Sequence, residues 1–105
     1  MTGAIQVVTT LPNRDAAQKI ASALVERRLA ACGQVAGPIA STYRWKGKVE
    51  SAEEWLCVLK TRRERYAEVE AAIRALHPYE VPEIVATPIV EGSADYLRWI
   101  ADETA

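Results

Sequence analysis

Neither sign of charge predominates in this sequence: 13 lysines and arginines stand against 14 aspartates and glutamates, for a net charge of -1. Proteins that grip nucleic acid or anionic lipid normally carry a basic excess, so neither is an expected partner. No apolar run approaches the ~20 residues needed to cross a bilayer. The segment Met1 to Pro12 also lacks the charged start and apolar core of a secretion signal, so a cytoplasmic location is expected. Cysteine is scarce. Cys32 and Cys57 are too few for a disulfide framework and fit a reducing compartment. If both lie on one hairpin turning at Gly47, Cys57 falls opposite about Gly37. Cys32 is then roughly 16 Å away along the strand, too far for a bond that needs Cα atoms within about 7 Å. His77 is the only histidine, which argues against a multi-histidine metal site within one chain. No phosphate-binding or dinucleotide-binding glycine pattern and no Cys-x-x-Cys occurs. With no catalytic constellation visible, the chain is expected not to be an enzyme and to require no cofactor.

What the sequence does hold is the material of one globular domain over residues 1–105, half apolar and about one-quarter charged. Ile5, Val7 and Thr9 alternate with Gln6, Val8 and Thr10, a β-branched run that ends at Pro12 and predicts a strand. Asn13 is placed to cap a helix, and Asp15 adds favourable charge to its first turn. Ala17, Ile20, Ala21, Leu24 and Val25 then form one stripe at helical spacing. Extended structure is expected from Ala31 to Tyr43, with Gly37 and Pro38 marking a bulge or kink and Pro38 an edge strand. Lys46-Gly47-Lys48 reads as a hairpin turn, and Glu54 to Thr61 as the returning strand. Thr61 with Glu64 has the spacing of a capping box for a second helix through Tyr66, Val69, Ile73 and Leu76, closed by Pro78. Ile84 to Val90 predicts a last strand. Ser93 would cap a short terminal helix with Tyr96, Leu97, Trp99 and Ile100 on its apolar side.

The order βαββαβ, with a helix appended, predicts an α+β, ferredoxin-like antiparallel sheet with both main helices on one face. Leu56 and Val58 alternate with Trp55, Cys57 and Leu59, so both faces of the third strand are apolar. No predicted element is left to cover the second face, and a homo-oligomer is the expected cover.

Three groups of residues have chemistry to offer. The first is the proline-pinned loop from His77 to Glu83. There His77 either ends the preceding helix or, with Tyr79 and Glu80, contacts a ligand. In the second, Lys60 and Arg62 stand where a strand feeds a helix N-terminus, either as a solvated turn or as an anion trap. The third, Tyr43, Trp45 and Trp55, clusters on the hairpin. The neutral charge disfavours a platform for stacked bases, so packing against a neighbouring subunit is expected.

The stretches Leu29-Ala30-Ala31-Cys32, Tyr43 to Glu50, Leu59-Lys60-Thr61, His77 to Ile84 and Tyr96 to Ile100 together resemble the CutA divalent-cation tolerance proteins, in that family's order. The resemblance implies a tight homotrimer similar in architecture to the PII signalling proteins, in which strands and long hairpins of neighbouring subunits meet. It implies a part in tolerance of divalent metals, copper above all. At Gly33 to Pro38 the sequence departs from the family's usual Val-Asn-Ile-Val-Pro-Gly, and Thr9 stands where some members have cysteine. Of the family's proposed metal ligands only Cys32 and His77 have counterparts, so weak binding of copper or another divalent cation is expected. The leading expectation is a cytoplasmic trimeric binding or signalling module that responds to metal ions, with Lys60, Arg62, His77, Tyr79 and Glu80 lining a cleft between subunits for a metal or small anion. An enzyme acting across that cleft, or a structural anchor for a partner protein, are the alternatives.

Overall fold

Asn13 opens the first helix as its position promises, its Oδ1 accepting from the Ala16 N–H at 2.8 Å. The computed structural model describes residues 2–105. Its elements run β1 (Ala4–Leu11), α1 (Arg14–Glu26), β2 (Cys32–Trp45), β3 (Lys48–Arg62), a 3-10 turn (Arg63–Arg65), α2 (Tyr66–Leu76), β4 (Val85–Pro88) and α3 (Ala94–Glu103). The sheet order is β2-β3-β1-β4, with every neighbouring pair antiparallel. This is the expected βαββαβ arrangement, with β2, the strand containing Pro38, on an edge.

One face of the sheet carries Ile5, Val7, Leu11, Cys57 and Leu59, which pack against Ala17, Ile20, Ala21 and Leu24 of α1 and Val69, Ala72 and Ile73 of α2. The predicted stripes face this core, with Tyr66 and Leu76 of α2 only partly buried and Val25 exposed near the end of α1. Gly33 lets α1 come close: a Cβ at that position would lie 2.7 Å from the Ala21 Cβ.

The hairpin turns at Lys46 and Gly47, with φ of 50° and 82°, the paired left-handed conformation whose twist suits a two-residue loop. Trp45 pairs with Lys48, and the expected bulge falls between Ala36 and Ile39. The tight turn and the one-residue bulge together correct the expected register, so that Cys57 lies opposite Val35 rather than Gly37. Cys32 lies opposite Lys60, three residues from Val35, and so points to the other face of the sheet. Both thiols are free, and burial raises that of Cys57 to a pKa of about 11.

Two further expectations are corrected. Thr61 is no helix cap: β3 continues through Arg62, and the buried Thr61 hydroxyl donates to Leu29 O at 2.7 Å. The 3-10 turn intervenes, and α2 starts at Tyr66 without a side-chain cap. The last strand is also shorter than Ile84 to Val90, although the Ile89 N–H still reaches Ala4 O at 3.0 Å.

The second face of the sheet is not wholly bare. Helix α3, capped by Ser93, folds onto one end of it and buries Ile100 with Ala4 and Ala31, with Leu97 and Ile89 at the margin. Tyr96 and Trp99, expected on the apolar side of α3, are each 40% exposed and pair with ring centroids 5.4 Å apart. At the negative end of α3, Arg62 Nε donates to Thr104 Oγ1 at 3.0 Å and Arg65 Nε to Thr104 O at 2.8 Å. Arg62 also donates to Thr104 O through its second nitrogen.

From the α3 end onward the second face runs in rows across the strands. Register aligns Thr87, Gln6, Lys60 and Cys32; then Val85, Val8, Val58 and Gln34; then Thr10, Leu56 and Ala36. The middle of that face is aliphatic, and among the described residues no helix is packed over it.

Candidate functional site

The loop after α2 is held in place by its histidine. His77 leaves the helix in extended geometry, as the residue before Pro78 must, while its N–H still donates to Ile73 O at 2.9 Å. Its ring Nε2 lies 2.8 Å from Thr10 O, and its Nδ1 lies 3.2 Å from the Tyr79 N–H. A carbonyl can only accept and a backbone N–H can only donate, so the hydrogen sits on Nε2 and the ring is neutral. Burial lowers its pKa below 6.5, against smaller opposing effects of the Thr10 carbonyl and the Glu54 charge. A second proton, on Nδ1, would face the Tyr79 N–H.

The consequence for stability has a definite sign. A histidine whose pKa is depressed by folding contributes stability that is full above its unfolded value, near 6.5, and is lost as pH falls through the folded value. Thermal melts between about pH 7.5 and 5.5 should therefore show a loss of stability that flattens in His77→Gln, since a carboxamide can make both bonds without titrating. An equally steep acid loss in the variant would assign it to the carboxylates instead.

Fixing His77 aims Tyr79. The Tyr79 hydroxyl donates to Glu54 Oε2 at 2.7 Å, and the two loop rings lie 4.9 Å apart and tilted. Burial, then the bond and charge of Glu54, then the nearby Tyr43 all push the Tyr79 phenol well above its ordinary pKa, so it stays protonated. Glu54 is only 8% exposed, and no lysine or arginine among the described residues pairs with it. Its Oε1 has no hydrogen-bond partner, yet the one sealed, unpaired side-chain polar atom among the described residues is Thr9 Oγ1. Glu54 Oε1 therefore opens into the cleft that the residue lines. That cleft, about 700 Å³, lies between the hairpin at Ser41 to Trp45 and the loop at Pro78 to Glu83, with Thr10 and Glu54 between them.

Tyr79 and Glu80 line this cleft with Tyr43 and Trp45, which are 40% and 37% exposed, while His77 braces it from behind. Lys46 Nζ stands 5.6 Å from the Trp45 ring centroid. Trp55 is engaged within its own chain, its ring close against Gly37 and packed on the main core. Lys60 and Arg62 sit elsewhere, at the α3 end of the sheet. Lys60 Nζ donates to Gln34 Oε1 at 2.6 Å and lies 5.9 Å from the Tyr96 ring centroid, and Arg62 is engaged by Thr104. The five expected cleft residues thus form two groups within one chain.

Cys32 and His77 do not converge within the chain either. Cys32 Sγ lies 3.6 Å from the Tyr96 hydroxyl, and both His77 nitrogens are engaged. Among the described residues no three His, Cys, Asp or Glu side chains gather as metal ligands. The donors of a single chain do not fit a high-affinity copper site, which needs several converging soft or imidazole ligands. Sequence reading missed Glu54, which it treated only as the start of a strand. The available signal was an acidic residue in phase with the apolar Leu56 and Val58 of the same strand.

Comparison with known proteins bears on the whole chain. Residues 5–103 match the family model described as CutA1 divalent ion tolerance protein. The divalent-cation tolerance protein CutA of Thermus thermophilus is 45% identical over 98 residues, covering 93% of this chain and 95% of that protein. The chloroplastic protein CutA of Arabidopsis thaliana is 42% identical over 100 residues, 95% of this chain but 55% of the relative, so the chain spans about half the length of that plant protein. A solved structure of the Thermus thermophilus protein superposes with a TM-score of 0.94 at 43% identity, over 97% of this chain and 99% of that one. The CutA of Archaeoglobus fulgidus, described as periplasmic, gives 0.94 at 38% identity over the same shares. With fold and sequence agreeing from β1 to α3, the chain belongs to the CutA1 divalent ion tolerance family.

Proposed function

We propose that the protein is a cytoplasmic homotrimeric module of divalent-cation tolerance, which binds a small ligand in a cleft between subunits and signals rather than catalyses. The observation that carries this reading is the aliphatic middle of the second sheet face. Val85, Val8 and Val58 lie in one cross-strand row with Leu56 in the next, and α3 covers only the Ala4 end. A face of that kind needs a cover. The sheet supplies the need for a partner, and the family resemblance supplies the number three. Tyr43 and Trp45, on the protruding hairpin, are the aromatic contacts proposed for the neighbour.

Copper or another divalent cation would be bound weakly, through Cys32 or His77 gathered across subunits, because one chain offers too few free donors. The His77 ring nitrogens are both engaged and the Tyr79 phenol is held protonated, so neither group is poised for acid–base chemistry, which favours binding over turnover. Sedimentation equilibrium tests the reading. The expected mass is three times the 11.6 kDa of the chain, with less than stoichiometric copper on elemental analysis after purification. A monomer would overturn the trimer, and near-stoichiometric copper that disappears in Cys32→Ser would overturn the account of the metal.

A further inference from the structure

We infer that the cleft between the hairpin and the His77 loop takes a small organic ligand bearing a primary ammonium group, held by Glu54. The inference deepens the reading above, on which it rests, by naming the class of ligand. Its starting point is Glu54, a carboxylate 8% exposed, in phase with Leu56 and Val58, and paired with no cation among the described residues. One oxygen is committed to the Tyr79 hydroxyl at 2.7 Å, and the other faces the cleft without a donor. A carboxylate held in place by one oxygen, with the other open to the cleft, is a ready acceptor for a cation with N–H donors.

The rest of the lining sharpens the choice. Ser41, on the same face of the hairpin as Glu54, brings a hydroxyl oxygen that can accept from a remaining N–H group of an ammonium. Tyr43 and Tyr79 bring ring faces suited to a cation, whereas Trp45 already has Lys46 over its ring. Glu80 and Glu83 line the same cleft against one opposing cation, Arg44, so the lining is acidic in sum. A divalent metal fits less well: it wants six or more oxygens, or several converging nitrogen and sulfur donors, and no three ligating side chains gather here among the described residues. A volume of about 700 Å³ suits a small organic molecule better than a bare ion.

The test is a thermal-shift and calorimetric titration of the assembled protein, run beside sedimentation of the same sample. The probes are 1,4-diaminobutane, ethylammonium, tetramethylammonium, magnesium and copper(II). The diamine and ethylammonium are expected to raise the melting temperature in a saturable way. Tetramethylammonium, with the single charge of ethylammonium and no donor, should not. Glu54→Gln keeps an acceptor for Tyr79 and should abolish the shift without dissociating the protein, and Tyr43→Leu should weaken it. An assembled protein that binds no amine, or binds it equally well in Glu54→Gln, overturns the ligand class and leaves the trimer standing; a monomer overturns the trimer itself. Lys48 on a neighbouring hairpin carries the same chemistry, so a shift that appears only in Lys48→Ala would mean that a partner's lysine fills the cleft, and would overturn the free ligand. Tighter binding of magnesium or copper than of the diamine would overturn it as well.

Discussion

Gly33→Ala is expected to destabilise the protein by about 1–3 kcal/mol, the cost of overpacking, although it adds a single methyl group. The new Cβ would stand 2.7 Å from the Ala21 Cβ, 3.0 Å from the Ala21 Cα and 3.1 Å from Leu59 Cδ2. Leu59 can change rotamer. Ala21 cannot, because its Cβ is fixed to the backbone of α1, so the helix must lift from the sheet and loosen Ile20 and Leu24 on the same stripe. The cause is space rather than backbone strain, which gives the prediction a second arm. Ala21→Gly by itself should cost about 1 kcal/mol through helix propensity. In the double variant it should recover part of the loss, since the two sites are in contact and will not add. Denaturant unfolding of the four proteins measures this. Strict additivity would show that Gly33 is not there to admit α1.

The Gly33 contact also shows where sequence reading stops. Patterns with a period were legible: apart from Val25, the α1 and α2 stripes, the alternation of β1 and β3, and the caps at Asn13 and Ser93 stand where the spacing put them. The bulge at Gly37-Pro38 was legible because proline and glycine disturb a strand for local reasons. Long-range decisions were not. Thr61 and Glu64 have the spacing of a capping box, but pairing of Arg62 with Ala4 keeps the strand going, and a contact between distant residues overrode a local preference. Within one chain the expected cleft residues fall into two groups, because Lys60 and Arg62 share one end of a long strand while the His77 loop lies at the other end of the sheet, near Thr10. Glu54 was invisible for a related reason. Its importance lies in being buried without a cation, which is a property of its surroundings.

Val58→Glu is expected to abolish assembly, reducing the sedimenting mass from three chains to one while each chain stays folded. Val58 lies in the row Val85, Val8, Val58 and Gln34, on the face turned away from α1 and α2, and α3 reaches only the Ala4 end of that face. In an isolated chain the new carboxylate would stand beside partly exposed valines, with water available, at modest cost. In the proposed trimer the same carboxylate would be buried against a neighbour in all three copies. A buried, unpaired charge carries an effective penalty of several kcal/mol, and repulsion among copies related by one axis adds to it. That is enough to dissociate an interface whose favourable energy comes mainly from aliphatic area. Val25→Glu is the matched control. Val25 is exposed at the end of α1, on the opposite side of the sheet, so the same change there should leave the mass at three chains. Circular dichroism should show native secondary structure in both variants. If Val58→Glu stays trimeric and equally stable, the second sheet face is not the interface. The aliphatic rows would then need another cover.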